Sequence, residues 1–357
     1  MILATYIGRR FLVSLATILI ALLTLVFLVD YVELLRRFSD AEAFTSLLGL
    51  KLALMRAPAL LEDILPFLFL FSATICFLNL SRKLELVVAR GAGVSVWGFL
   101  RAPFFLALVT GLASTFLFNP LATELKERSD RIEASLSDGM AASSADAIWF
   151  RQEGLDGPSI IRAANYDSSA KELRGVTAFL FNPDGSFQAK LVSLSASYRP
   201  GRWIFAKTRY ISGEGASDRF DRYILPTSLT PDQVNLTLLR PDRLSVWTLR
   251  RFIDTAAQTG LNTARFTLAF HSLLARPLFL MAMVTVAATV SLRLSRYGGA
   301  GKLALTGIII GFLLYVATEI VSDMGSNGIL DPVLAAWSPA VLAMLFGATA
   351  LLYQEDG

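Results

Sequence analysis

The sequence has 357 residues, of which 54% are hydrophobic and only 17% are charged, and its mean hydropathy is +0.55. This composition excludes an ordinary soluble protein and predicts a polytopic membrane protein. The one cysteine, Cys76, excludes an intramolecular disulfide and a thiol metal cluster, and a net charge of +4 gives no indication of nucleic-acid binding.

The first apolar run, Phe11–Val29, is long enough to span a bilayer and is followed by no small-residue cleavage site, so we expect a retained span. Arg9 and Arg10 precede it and favour a cytoplasmic N-terminus. Apolar residues keep their helical spacing through Asp30–Arg37. The first helix is therefore expected to project beyond the hydrocarbon on the outer side.

A mildly amphipathic connector, Ala43–Arg56, is expected before the second span, Ile64–Leu80, and a third apolar run covers Phe99–Phe118. Between these spans lies a more polar loop, Leu80–Val94. Its cytoplasmic location is predicted by three basic residues: Arg82, Lys83 and Arg90.

Within this loop, Leu84, Val87 and Val88 recur at helical spacing beside Glu85, which predicts a short amphipathic helix at the membrane surface. Two interpretations remain open. The helix is either a docking surface for a cytoplasmic protein or an interfacial connector that solvates its charges.

Residues 121–260 contain no apolar run long enough to cross a membrane. After a charged helical stalk, Glu124–Leu136, alternating apolar and polar residues predict strands. Turn sequences such as Asn182-Pro-Asp-Gly185 separate these strands. We therefore predict an all-β sandwich or jelly roll on the outer side of the membrane.

Three further spans are predicted at Asn262–Leu292, Leu303–Ile320 and Pro332–Tyr353. Six spans divide the chain into residues 1–120 with three spans, 121–260 with the β-domain, and 261–357 with three spans. Basic residues in short loops place both termini in the cytoplasm, and Arg36 and Arg37 are the main exception.

The sequence offers little catalytic chemistry, because its one histidine, His271, lies on a largely apolar helix. The run Gly298–Leu303 differs from a phosphate-binding loop at two required positions, so no cofactor is expected. The span centres lack the ionisable groups of an ion-coupled carrier. Energised transport would therefore depend on a partner.

Three segments together resemble the lipopolysaccharide-export permease family LptF/LptG, over the whole chain. They are the opening Tyr6–Leu12, the loop Leu80–Gly93 and the closing Leu330–Pro339. Val29–Arg37 and His271–Pro277 are more similar to the LptG type than to the LptF type.

This resemblance implies a non-catalytic permease subunit of the bacterial inner membrane that takes lipopolysaccharide from its outer leaflet. The implied partners are a second, LptF-type permease, an LptB-type ATPase dimer, an LptC-type bitopic protein and a periplasmic bridge.

The resemblance and the sequence together suggest two sites. The predicted coupling residues for the ATPase are Leu84, Glu85, Val88 and Arg90. The predicted contacts to the lipopolysaccharide head group are Tyr31, Glu33, Arg36 and Arg37. Asp30 stands where some relatives carry a lysine, so the chain departs from the family pattern at this upstream position.

Two alternatives remain open at the level of function. One is a scaffold or lipid-sensing protein without transport, and the other is a membrane-anchored periplasmic enzyme. The predicted outer domain has neither histidine nor cysteine, which disfavours the enzyme. For Arg36 and Arg37, the alternative is snorkelling to ordinary phospholipid head groups.

Overall fold

A computed structural model describes residues 2–39, 44–137, 148–154, 157–167, 172–213, 216–228, 241–258, 263–292 and 300–356. The predicted domain boundary near Gly260 and most of the predicted basic loop Arg293–Lys302 lie outside these residues.

Within the described residues, helices precede and follow an antiparallel sheet along the sequence. The helices are α1 (Ile2–Arg37), α2 (Ser46–Arg82), α3 (Glu85–Gly91), α4 (Val96–Ala113), α5 (Asn119–Ser137), α6 (Val246–Gln258), α7 (Ala264–Leu292), α8 (Ala300–Ser326) and α9 (Pro332–Asp356).

Among the described residues, six helical segments are long and apolar enough to cross a membrane, which confirms the six predicted spans. They are Leu3–Arg37, Ser46–Arg82, Val96–Glu133, Ala264–Ser291, Leu305–Ser326 and Pro332–Gln354. The apolar windows of the second and fourth spans are two-thirds buried, whereas that of the first span is entirely unburied. The second and fourth spans therefore form the centre of the helical part, and α1 lies at its edge.

Two expectations about the helices are wrong in detail. Ala43–Arg56 is not a separate connector, because Thr45 caps a helix that begins at Ser46 and continues through Pro58 and Pro66 to Arg82. The short helix of the Leu80–Val94 loop covers only Glu85–Gly91, since α2 extends into the start of that loop.

The third span contains a π-helical turn, Ser114–Phe118, between α4 and α5. One turn earlier, a Cβ on Gly111 would lie 2.5 Å from the Cα of Pro277. Glycine is therefore required for the close approach of α4 and α7. The π turn directs Thr115 to the carbonyl of Leu273, to which its hydroxyl donates at 2.8 Å.

The strands form one antiparallel sheet with the order β1-β2-β4-β5-β6-β7, and β3 pairs with β4. They are β1 (Ile148–Gly154), β2 (Gly157–Ala163), β3 (Asn165–Asp167), β4 (Glu172–Phe181), β5 (Phe187–Arg199), β6 (Arg202–Ser212) and β7 (Ser217–Pro226). The sheet is not closed. The predicted inserted all-β domain is thereby confirmed, as one open antiparallel sheet between the third and fourth spans.

The predicted turn chemistry occurs where β4 leads into β5. The backbone N–H and the hydroxyl of Ser186 donate to Asp184 Oδ1, at 2.9 Å and 2.6 Å, and lower the pKa of this carboxyl. Gly185 has φ +85°, which only glycine adopts without strain. The sheet packs over Trp203, whose buried indole N–H donates to Gln152 at 3.1 Å.

Candidate functional site

Helix α3 is held in place at one buried side chain and two tight turns. Leu86 is only 4% exposed and packs into the main helical core. Leu84, just before the helix, has φ +57°, and Gly93, just after it, has φ +82°. A positive φ in a leucine is uncommon and costs conformational energy, so the surrounding structure must fix this turn.

Leu84 and Val88 present an apolar surface at this loop, being 59% and 70% exposed. The Val88 N–H donates to the Leu84 carbonyl at 3.0 Å, which places the two residues one helical turn apart. Arg90 is also exposed. Exposed apolar side chains on a short, fixed helix between basic residues suit contact with another protein.

Glu85 forms a long-range contact for which the sequence contains no local signal. The Tyr6 hydroxyl donates to Glu85 Oε2 at 2.9 Å, and Nε and Nη2 of Arg10 donate to the same hydroxyl at 3.1 Å and 2.9 Å. Tyr6 and Arg10 are one turn apart on α1. The contact therefore links α3 to the start of α1, and we call Arg10, Tyr6 and Glu85 the α1–α3 link.

A small cavity of about 110 Å³ lies beside the α1–α3 link. Its lining includes Arg10, Cys76, Asn79, Lys83 and Glu85. Cys76 is 2% exposed, so its thiol is a core group and is screened from reagents in water.

At the other end of α1, the predicted head-group residues have different surroundings. Tyr31 is half-buried, stacks on Phe27 with ring centroids 6.4 Å apart, and donates to the Ser46 carbonyl at 3.4 Å. It therefore packs α1 against the start of α2. Glu33 and Arg36 are exposed.

Arg37 belongs to a charged network that joins α1, α2 and α5. Its Nη1 lies 3.7 Å from Glu133 Oε2. Arg56 lies 3.4 Å from both Glu133 Oε1 and Asp30 Oδ1. We call Asp30, Arg37, Arg56 and Glu133 the outer charge network. The two arginines predicted to act together therefore have different surroundings. Arg37 is partly buried in an ion pair, whereas Arg36 is exposed.

A second buried network lies where α2, α5 and α7 meet. Arg276 Nη1 lies 3.1 Å from Glu62 Oε2, and Asn119 donates to the same oxygen at 3.1 Å. Arg276 also donates to the Ser114 hydroxyl at 2.9 Å, and the Val246 N–H donates to Asn119 Oδ1 at 3.0 Å. Neither network was predicted, because each brings together residues of different helices, most of which are more than fifty positions apart in sequence.

The single histidine is part of a helix contact, since His271 Nδ1 accepts from the indole N–H of Trp337 at 3.3 Å. Across the described ranges, no group of three or more histidine, cysteine, aspartate or glutamate side chains is arranged to hold a metal ion.

Comparison with known proteins gives one consistent result. The sequence profile described as "Lipopolysaccharide export system permease LptF/LptG" matches residues 5–353. The "Lipopolysaccharide export system permease protein LptG" of Haemophilus influenzae is 25% identical over 360 residues, covering 96% of this chain and 94% of the relative. A protein of the same name from Escherichia coli is 20% identical, covering 98% of each chain.

Proposed function

Because the chain belongs to the lipopolysaccharide export system permease LptF/LptG family, we propose that it is one permease half of an ATP-driven lipopolysaccharide extractor. As a member of this family with six apolar helices, it is a multi-pass inner-membrane permease subunit in lipopolysaccharide export. The proposed second half is an LptF-type permease, since the relatives from Haemophilus influenzae and Escherichia coli that this chain resembles are both named LptG.

We propose that a cytoplasmic LptB-type ATPase dimer binds α3. The observation that carries this proposal is the exposed apolar pair Leu84 and Val88 on a helix fixed by Leu86. Leucine and valine would enter an apolar groove of the ATPase, while Glu85 and Arg90 would meet charged groups at its rim. Binding energy at such interfaces is concentrated in a few side chains.

The test replaces both apolar side chains by serine, Leu84→Ser with Val88→Ser. Both are exposed, so we expect the chain to fold and to pair with the second permease normally. ATPase co-purification should fall at least tenfold, since the loss of two interface anchors costs more than about 1.4 kcal/mol. Quantitative mass spectrometry of the purified complex measures the ratio of ATPase to permease.

Arg82→Ser is the matched control, because Arg82 is exposed at the end of α2 beside the same loop and has no proposed role. Unchanged ATPase co-purification in the Leu84→Ser, Val88→Ser variant would contradict the docking role. If wild-type protein purified without any ATPase, the scaffold interpretation would replace the permease interpretation.

At the opposite end of α1, we propose that the exposed Arg36 binds a phosphate of the lipopolysaccharide head group. A guanidinium holds phosphate by two parallel hydrogen bonds. Arg37 would bind the same head group after its ion pair with Glu133 breaks. Glu33 would accept hydrogen bonds from head-group hydroxyls, and Tyr31 would keep the end of α1 against α2.

We further propose that the β-domain faces the periplasm and passes the lipid to an LptC-type protein and the periplasmic bridge. Along the described sheet, β1 and β7 are the edge strands of an open order. Strand addition at an open edge is a common way to continue a sheet into a partner.

The proposed sidedness predicts opposite labelling of two exposed positions. Leu194 on β5 is 63% exposed, and Lys83 lies exposed in the turn before α3. The two test variants are Leu194→Cys and Lys83→Cys. In a Cys76→Ala background, a membrane-impermeant maleimide should label only Leu194→Cys in intact spheroplasts and both positions after lysis. Labelling of Lys83→Cys alone in intact spheroplasts would reverse the orientation.

A further inference from the structure

A cavity of about 350 Å³ lies between the span helices and the segment that follows the sheet. Pockets for small ligands generally occupy about 300–1,000 Å³. Its apolar wall includes alanine and leucine side chains of α2, α5, α6 and α7. Its charged lining consists of Glu62, Asp63, Lys126, Asp242 and Arg276.

The charges of this lining do not balance. Arg276 pairs with Glu62 at 3.1 Å, and Lys126 pairs with Asp242 at 3.6 Å. Within the described part of the chain, Asp63 forms no salt bridge. The lining therefore keeps one net negative charge beside two ion pairs.

Glu62 gives a second, independent indication of a binding site. This side chain is only 7% exposed, and its Oε2 accepts from both Arg276 and Asn119. Its Oε1 is fully buried and has no hydrogen-bond partner among the residues that the structure describes. A buried carboxylate oxygen without a donor costs free energy, so a ligand that donates hydrogen bonds here would be bound favourably.

The position of the cavity along the spans favours a lipid head group. Glu62 lies twenty residues from the Arg82 end of α2, a distance of about 30 Å at the rise of an α-helix. Asn119, which also lines the cavity, lies about 35 Å from the Val96 end of the third span by the same rise. The hydrocarbon core is about 30 Å thick, so the cavity lies at head-group depth.

We propose that this cavity binds the aminoalkyl phosphate head group of a membrane lipid. The ammonium donates to Asp63 and to Glu62 Oε1, and the phosphate accepts from Lys126, whose three N–H donors also allow its contact with Asp242 to persist. An ammonium has three donors and no acceptor, which fits a lining with an unpaired carboxylate and a buried oxygen that needs a donor. The alanine and leucine wall contacts the methylene groups.

The head group has two possible sources, an ethanolamine phospholipid or lipid A modified with phosphoethanolamine. Both carry the same aminoalkyl phosphate. The lipid site is inferred from the depth of the cavity along the spans and not from lipopolysaccharide export. A negative binding result would therefore overturn the lipid site without bearing on the proposed export function.

Native mass spectrometry of the full chain in its complex tests the site. Probes are phosphatidylethanolamine, its N-acetylated form, phosphatidylglycerol, and lipid A with and without phosphoethanolamine. We expect wild type to retain phosphatidylethanolamine or the modified lipid A at least fivefold more than the matching lipid without the ammonium. Whichever of the two is retained identifies the source.

Asp63→Asn should remove this preference, and Asp63→Glu should restore part of it. Asp63 is exposed, so neither variant should impair folding or ATPase binding. Glu124→Gln is the matched control, because it also removes one exposed carboxylate from a helix beside the cavity but lies outside the lining. Equal retention of acetylated and unmodified lipid by wild type, or an unchanged preference in Asp63→Asn, would overturn the proposal.

Discussion

Glu85→Lys is expected to uncouple ATP hydrolysis from lipopolysaccharide extraction. In the α1–α3 link, the carboxylate of Glu85 accepts from Tyr6, which in turn accepts from Arg10. A lysine there would remove the acceptor and place an ammonium beside a guanidinium. At the proposed contact it would also oppose a basic group of the ATPase. The second effect is expected to be the larger, because truncating one partner of a charge pair that is buried in an interface costs about 2–5 kcal/mol, whereas the α1–α3 link is exposed.

Two measurements separate the effects of this substitution. ATPase co-purification reports docking, and lipopolysaccharide release from proteoliposomes per ATP hydrolysed reports coupling. For Glu85→Lys we expect both to fall, with release at background. Normal docking and normal release would restore the interpretation of α3 as a solvated connector.

Tyr6→Phe tests the α1–α3 link alone, because it deletes one hydroxyl and leaves the Glu85 carboxylate available to the ATPase. If the α1–α3 link transmits movement of α3 to α1, docking should stay normal while release per ATP falls severalfold. If Glu85 acts on the ATPase alone, Tyr6→Phe should behave as wild type. Thr17→Val is the matched control, because the Thr17 hydroxyl that it removes donates to the Val13 carbonyl within α1.

Much of the architecture follows from local sequence. Apolar runs of about twenty residues specify spans because unpaired backbone groups are not tolerated in lipid. Alternation along Val192–Tyr198 predicts a strand, and this segment lies within β5. The Asn182–Gly185 turn likewise lies where β4 meets β5. These features depend on neighbours in sequence, which a single chain displays directly.

The candidate sites were predictable only in part. Exposure of Leu84 and Val88 follows from helical spacing in a polar loop, but the positive φ of Leu84 depends on where Leu86 is buried. Tyr6 and Glu85 are 79 positions apart, and Arg56 and Glu133 are 77 positions apart. Such pairs arise from helix packing, and a single sequence contains no local signal for them.

The outer charge network changes what the two arginines of α1 are expected to do. Arg36 lies on the same helical face as Val29 and Val32, which are 60% and 59% exposed, so its charge stands above an apolar stripe facing lipid or the second permease. Arg37 is already paired with Glu133. Head-group capture should therefore depend first on Arg36, and Arg37 should act through the network.

Arg36→Glu is accordingly expected to reduce lipopolysaccharide photocrosslinking from a benzophenone amino acid at Val32 by at least tenfold, because a carboxylate repels the phosphate that a guanidinium would bind. ATPase co-purification should stay unchanged. Arg265→Glu, an equal charge reversal at the start of α7, should leave crosslinking intact.

Arg37→Glu should lower both crosslinking and thermal stability, because it places a carboxylate beside Glu133. A compensating Glu133→Arg should recover stability more than crosslinking. Equal crosslinking in Arg36→Glu and wild type would mean that this arginine only anchors the helix among phospholipid head groups, and entry of the substrate would then have to occur along another span.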